Sequence, residues 1–302
     1  MIDNNGKAMV MSAFLADALA LGVHWIYDAK HISQKYRRIE GFIKPGSNSY
    51  HPTKEKGEFT HYGDQMLVLL ESLAEKKEFD LQDFSDRWQR LFKDYQGYVD
   101  QATRATLSGY ASGKTPKDAG SFSDDLSGAS RIAPVIYLYR NDLEKMIRAA
   151  RLQTIMTHNS PGSVEGSEFF ARVGWQVLNG KTPINAIEHV SEGWTSDSMI
   201  HSWVQAGLRS KDMDSIQAIS QFGQSCHIRE AFPGVIHLIA RYENDLKEAL
   251  IQAVMAGGDS AARGMAVGMV LGAYQGPESL PKAWLSELRK QRQISEFLDR
   301  IP

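Results

Sequence analysis

With a single cysteine in 302 residues, Cys226, the chain can build neither an internal disulfide nor a cluster of thiolate ligands. A reducing compartment, and by default the cytoplasm, is therefore the expected setting. An excess of charge of one sign is also missing: the formal net charge is -2 and the lysines and arginines are scattered. Nothing here draws a phosphodiester backbone, so nucleic acid is not an expected partner. No apolar run reaches the roughly 20 uncharged residues that span a bilayer. The opening Met1-Ile2-Asp3-Asn4-Asn5 carries no basic segment ahead of its first apolar stretch, so neither a secretory signal nor a membrane partner is expected. Convincing period-two runs, heptads, short repeats, low-complexity tails and dividing linkers are absent as well. What remains is an all-α protein with one domain over residues 1–302, built from about a dozen or more helices.

What the chain does have is apolar residues, 42% of the total against 23% charged, enough to bury a large core. Near its end stands Gly257-Gly258-Asp259-Ser260, followed by Gly264, Gly268, Gly272 and Gly276. A spacing of four places these glycines on one helical face. Each interior glycine costs about 1 kcal/mol of helix stability relative to alanine, so the run predicts a helix whose backbone is approached closely by another element. Asp259 and Ser260 fall at its expected N-cap. One reading of this stretch is a cap with a packing stripe; the other is a ligand or metal site at the head of a central helix.

Along the chain, Ala8, Met11, Leu15, Ala18, Leu19 and Gly22 keep helical spacing from Lys7 to about Gly22, with Asp17 embedded among them. A charge in such a run needs a partner, as a brace for a neighbouring loop or as part of a site. An aromatic-rich exit, His24-Trp25-Ile26-Tyr27-Asp28, leads to a long polar loop from Gly41 to Gly57. Next comes Gly57-Glu58-Phe59-Thr60-His61-Tyr62-Gly63-Asp64-Gln65-Met66, where Asp64 reads as the N-cap of the helix carrying Leu67, Leu69, Leu70 and Leu73. A second polar loop, Ala119 to Asp125, precedes Leu126-Ser127-Gly128-Ala129-Ser130-Arg131. Small residues there allow a close approach by a ligand, or simply a tight turn into a helix. Ser160-Pro161 is a helix start. It leaves His158 just ahead of a helix N-terminus, the kind of place that favours phosphate. Further helices are expected over 166–179, 183–193, 198–208 and 213–222, one introduced by Phe232-Pro233-Gly234, one capped by Asn244, and one from Leu285 to Leu298.

Taken in order, Ala16-Asp17-Ala18-Leu19, His24 to Asp28, Gly57 to Met66, Ser127 to Pro134, Thr154 to His158 and Gly257 to Gly276 resemble the ADP-ribosylglycohydrolase family, in particular its J-type crystallin-like branch. The resemblance implies an all-α orthogonal bundle of one domain, with a cleft for an ADP-ribosyl group. It also implies two magnesium ions, held by a Thr-Asp-Asp-Thr loop and a Gly-Gly-Asp-Thr-Asp-Thr loop.

Both loops depart from that pattern. The second reads Gly257-Gly258-Asp259-Ser260-Ala261-Ala262, and alanine cannot ligate magnesium. In the first, His61, Tyr62 and Gly63 fall across the acidic pair, and Asp64 replaces only one member of it. Asp259 and Asp64, helped weakly by Thr60 and Ser260, are the metal ligands left. A single magnesium ion is conceivable with them, whereas the binuclear centre is expected to be absent or weakened.

The expected function is hydrolysis of a glycosidic bond in an ADP-ribosyl or related nucleotide-sugar substrate. The partner is a small ADP-ribosyl-like ligand or an ADP-ribosylated protein. Asp64, Asp259 and His61 are the candidate catalytic groups: carboxylates to activate water or steady an oxocarbenium-like centre, and an imidazole in place of lost metal charge. His158, Gly128, Ser130, Asp17 and Tyr62 are the candidate substrate contacts. The alternative is a catalytically silent protein that binds ADP-ribose or a nucleotide, or a structural, crystallin-like one.

Overall fold

A computed structural model of the chain describes residues 2–302. Among them seventeen α-helices and one 3-10 turn succeed one another and no strand occurs. Extended pairing is confined to two isolated bridges, Ser121 with His158 and Asp125 with His227. The all-α expectation holds.

Two helices from opposite ends of the chain form the centre: Ile2–Ala20 and Ser260–Gln275. Neither has a polar stripe, and from Ala8 to Ala20 and from Ser260 to Ala273 every side chain is buried, as expected of helices enclosed on all sides. They pack along the glycine face. A Cβ on Gly268 would lie 2.7 Å from the Ser12 carbonyl oxygen, and one on Gly272 would meet the Ser12 hydroxyl and the Ala8 carbonyl. Gly276 does not belong to this face. It ends the helix with φ 72°, and the expected row of four glycines is a row of three. At this end of the pair the Asn5 amide donates to the Ala273 carbonyl at 2.9 Å. At the other end Trp25 N–H donates to Gly258 O (3.0 Å) and Gly258 N–H to Ile26 O (2.9 Å).

The outer helices Pro161–Leu178, Ile228–Arg241 and Leu246–Met255 pack against Ser260–Gln275. Ser160 caps the first of them with Pro161 at its start, as expected. Three expected boundaries move. Helix His61–Lys76 begins earlier than expected, because Thr60 and not Asp64 is its N-cap: the Thr60 hydroxyl accepts from Tyr62 N–H, and Asp64 falls in the first turn. Asp245 replaces Asn244 as the cap of Leu246–Met255, its side chain accepting from Glu248 N–H. Pro233 lies inside Ile228–Arg241. That helix starts before the proline because Ile228 N–H is fixed to Asp124 O at 2.8 Å, which sets up the first turn independently.

A fully buried arginine on the glycine helix positions the turn that precedes it. Arg263 donates to the carbonyls of Ala253 and Gly257, satisfying the end of Leu246–Met255 and holding Gly257-Gly258, both at positive φ, in a sharp bend.

Candidate functional site

The first turn of His61–Lys76 distributes its side chains in four directions, because successive residues on a helix are about 100° apart. His61 Nε2 lies 3.1 Å from Asp100 Oδ2. The Tyr62 hydroxyl donates to Asp259 Oδ2 at 3.3 Å. Gly63 sits against Asp17, whose oxygens accept from Thr60 N–H (2.8 Å) and the Thr60 hydroxyl (2.5 Å). Asp64 Oδ2 accepts from the Lys54 ammonium (2.5 Å) and the Tyr95 hydroxyl (2.6 Å).

This fan gives Asp64 and Asp259, expected to act together, different partners. Tyr62 is the residue that reaches Asp259, and Asp64, two positions on, projects to a different side of the helix and has its own partners. Asp17 is fully buried and fastens Thr60. Thr60 is occupied in both directions, donating to Asp17 and accepting from Tyr62 N–H.

A cleft of about 530 Å³ opens beside Tyr62. Trp25, Tyr98, Asp100, Asp125 and His227 contribute to its walls, and Phe122, 85% exposed, stands at its edge. Of the candidate catalytic, substrate and metal residues named from the sequence, only Tyr62 lines it. Asp259 lies behind Tyr62, 1% exposed, with Oδ1 accepting from Ala262 N–H at 3.3 Å and His24 Nδ1 3.8 Å away. Ser260 is fully buried next to it and its hydroxyl has no partner.

The remaining expected contacts face inward. His158 is buried, with Nε2 3.1 Å from the Ser127 hydroxyl and Nδ1 2.9 Å from the Thr157 hydroxyl. Gly128 packs on the His158 side chain, and its carbonyl accepts from Gln153 and Thr154. Ser130 donates to Ser127 O at 3.0 Å. These hydrogen bonds fix the loop, and they leave neither the imidazole nor the Ser130 hydroxyl free for a phosphate.

Several residues of the site were not singled out in the sequence. Asp100 caps helix Gln101–Ala111 through Thr103 N–H (2.6 Å), like many surface caps, and only its contact with His61 distinguishes it. His51 arrives from the polar loop of residues 41–57 and is fully buried. Its ring, those of His24 and His61, and the Trp25 indole lie 4.3–6.3 Å apart, centre to centre. Trp25 adopts φ 65°, a conformation a bulky residue rarely takes, and its N–H bond to Gly258 holds it there.

Protonation follows from this packing. Burial, with the neighbouring His51 and His61, pushes His24 well below the usual imidazole range. Burial and His61 lower His51 to about 3, and burial and Arg131 lower His158 to about 4. All three are neutral at pH 7. Burial, followed by the charge of Asp125, raises Asp259 to about 6. Asp100 shifts the opposite way: burial would raise it, but the hydrogen bond and charge of His61 outweigh that and keep it ionised.

A larger hollow, about 610 Å³, lies elsewhere among helices Leu143–Ile155, Pro161–Leu178 and Pro183–Ser191. It contains none of the candidate residues, and two of its arginines, Arg151 and Arg172, are both paired with Glu168, at 2.6 and 2.7 Å.

The chain belongs to the ADP-ribosylglycohydrolase family, whose sequence profile matches residues 2–302. It is 24% identical to crystallin J1A of Tripedalia cystophora over 99% of this chain and 96% of that protein. It is 25% identical to the ADP-ribosyl-[dinitrogen reductase] glycohydrolase of Rhodospirillum rubrum, over 81% of this chain and 79% of that one. A solved structure described as an ADP-ribosylglycohydrolase-related protein complex has the same fold, with a TM-score of 0.78 at 22% identity, covering 99% of this chain and 97% of that chain.

Proposed function

We propose that this member of the ADP-ribosylglycohydrolase family hydrolyses a glycosidic bond of an ADP-ribosyl-type substrate in the cleft beside Tyr62, as one unit over its whole length and without a binuclear magnesium centre. The observation that carries this reading is the opposite displacement of two carboxyls near the same tyrosine. Asp100 is held ionised while Asp259 titrates at about 6, and such a divergence separates a charge-stabilising carboxylate from a proton-exchanging one.

In the proposed reaction, Asp100 faces the anomeric carbon and stabilises positive charge as the bond to the leaving group breaks, the leaving group departing with the bonding electron pair and taking up a proton from solvent in the open cleft. Asp259 accepts a proton through the Tyr62 hydroxyl from the attacking water, whose oxygen forms the new bond to the anomeric carbon. His61 is a positioning residue: it holds one oxygen of Asp100, and Thr103 N–H holds the other.

Family members are generally metal-dependent, so the donor set bears on this reading. Around Asp259 the available groups are one carboxylate, the unpartnered Ser260 hydroxyl and two unpartnered nitrogens of His24. Ala261 and Ala262 are buried without donors, and Asp64 is bound to Lys54 and Tyr95. One carboxylate and an imidazole suit a pair of magnesium ions poorly, and no step is assigned to metal.

A second reading, a silent binder of ADP-ribose, is favoured by the inward engagement of His158, Ser130 and Asp17, which removes polar groups from the cleft. The two readings separate by assaying ADP-ribose release from ADP-ribosylated protein, once with magnesium and once with a chelator. Turnover that survives chelation supports the first. Absence of release, with a melting temperature raised by ADP-ribose through mass action, supports the second.

A further inference from the structure

We propose that Asp124, Asp125 and His227 form a binding site for one divalent transition-metal ion of the zinc or manganese class, on the cleft wall and on segments other than those that carry Asp64 and Asp259. One ligand atom from each residue lies within 4.8 Å of the others, and His227 Nδ1 is 2.6 Å from Asp124 Oδ1. Metal–ligand bonds to nitrogen and carboxylate oxygen are about 2.0–2.2 Å long, so small side-chain rotations would bring the three atoms onto one ion.

The two segments that carry these residues are distant in sequence and fixed together by backbone. Ile228 N–H donates to Asp124 O at 2.8 Å and Leu126 N–H to Cys226 O at 2.9 Å, on either side of an antiparallel bridge between Asp125 and His227. Leu126 and Ile228 are anchored in the core at 0% and 2% exposure. The Ser163 hydroxyl donates to the carbonyl of Asp125 at 3.0 Å. The donors thus sit on a rigid frame, which reduces the ordering that an ion must impose.

Charge points the same way. Asp124 pairs with the His227 imidazole and Asp125 lies within 4.8 Å of both, and among the described residues no lysine or arginine forms an ion pair with either carboxylate. The three side chains are only partly buried or exposed, so water can complete the coordination sphere. Two carboxylate oxygens with one imidazole nitrogen suit zinc or manganese, whereas magnesium prefers oxygen alone and octahedral geometry. This inference does not depend on hydrolase activity.

The test is calorimetric titration of the full chain, stripped with a chelator, with zinc and separately with manganese; the latter is also read by electron paramagnetic resonance. One ion per chain is expected, weakened at least tenfold (about 1.4 kcal/mol) in His227→Ala and in Asp125→Asn, with Asp259→Asn unchanged. Far-ultraviolet circular dichroism verifies that the variants are folded, and Asp124→Asn serves if either is not. The proposal is overturned by absence of binding, by binding that survives His227→Ala, or by binding lost in Asp259→Asn alone, which would put the ion at the glycine helix.

Discussion

The Tyr62 hydroxyl lies 3.3 Å from the Oδ2 atom of Asp259 and connects a carboxyl that is 1% exposed to the cleft. Tyr62→Phe keeps the ring and removes the connection. Under the proposed hydrolysis, turnover is expected to fall on the order of 10²-fold, while ADP-ribose affinity, read by calorimetry, changes little. A loss of affinity with unchanged turnover would make Tyr62 a binding residue and break the proposed route for the proton.

Stability should depend on pH through groups of opposite sign. Asp17, raised to about 7 by burial against the two hydrogen bonds from Thr60, and Asp259, raised to about 6, hold protons that the unfolded chain releases near 3.8. Their contribution is present below about pH 4 and is lost as pH rises through 6 to 7. His51 at about 3, His158 at about 4, His237 at about 4 and His24, well below 6.5, are neutral in the fold, whereas the unfolded chain protonates them below 6.5. Their contribution is present above 6.5 and lost as pH falls. Between about pH 4 and 6 the four imidazoles outnumber the two carboxyls, so the unfolded state binds more protons. Unfolding free energy is expected to rise with pH across that range, by about 1.4 kcal/mol per unit for each net proton, and to flatten near 7. Urea midpoints at half-unit intervals measure it; a midpoint independent of pH from 4.5 to 6 contradicts the neutral histidine cluster.

The glycine face makes a paired prediction. In Gly268→Ala the new Cβ meets the backbone of Ser12 at 2.7 Å. Forced separation of the two central helices should cost about 1–3 kcal/mol, more than the gain in helix propensity of about 1 kcal/mol. In Gly264→Ala the added carbon meets the Ala16 Cβ at 3.4 Å, an ordinary contact, and the change should be neutral or slightly stabilising. Equal urea midpoints for the two variants would show that the helices do not depend on close approach at Gly268.

Much of the scaffold was legible because it is local. Gly264, Gly268 and Gly272 repeat at helical spacing, Asp259 has the chemistry of a cap, and Ser160-Pro161 marks a helix start regardless of what surrounds it. The site was less legible because its contacts join distant segments. Nothing near Asp100 points to His61, and His51 lies in a stretch whose composition reads as surface loop. Asp64 reads as a cap because the bond the Thr60 hydroxyl donates to Asp17, which makes Thr60 the better one, spans more than forty residues. Periodicity identifies an apolar face; it does not identify the helix that will cover it.

That limit applies to the chain itself as it is made. The helix Ile2–Ala20 is synthesised some 240 residues ahead of its principal partner, Ser260–Gln275. At 5–20 residues per second the interval is on the order of tens of seconds. During that time a helix with no polar side lacks its most extensive partner, although His61–Lys76 and Ala133–Leu138 also pack on it, so the protein's centre closes late. A chain truncated ahead of Ser260–Gln275 would therefore leave the buried face of Ile2–Ala20 uncovered and lose its core.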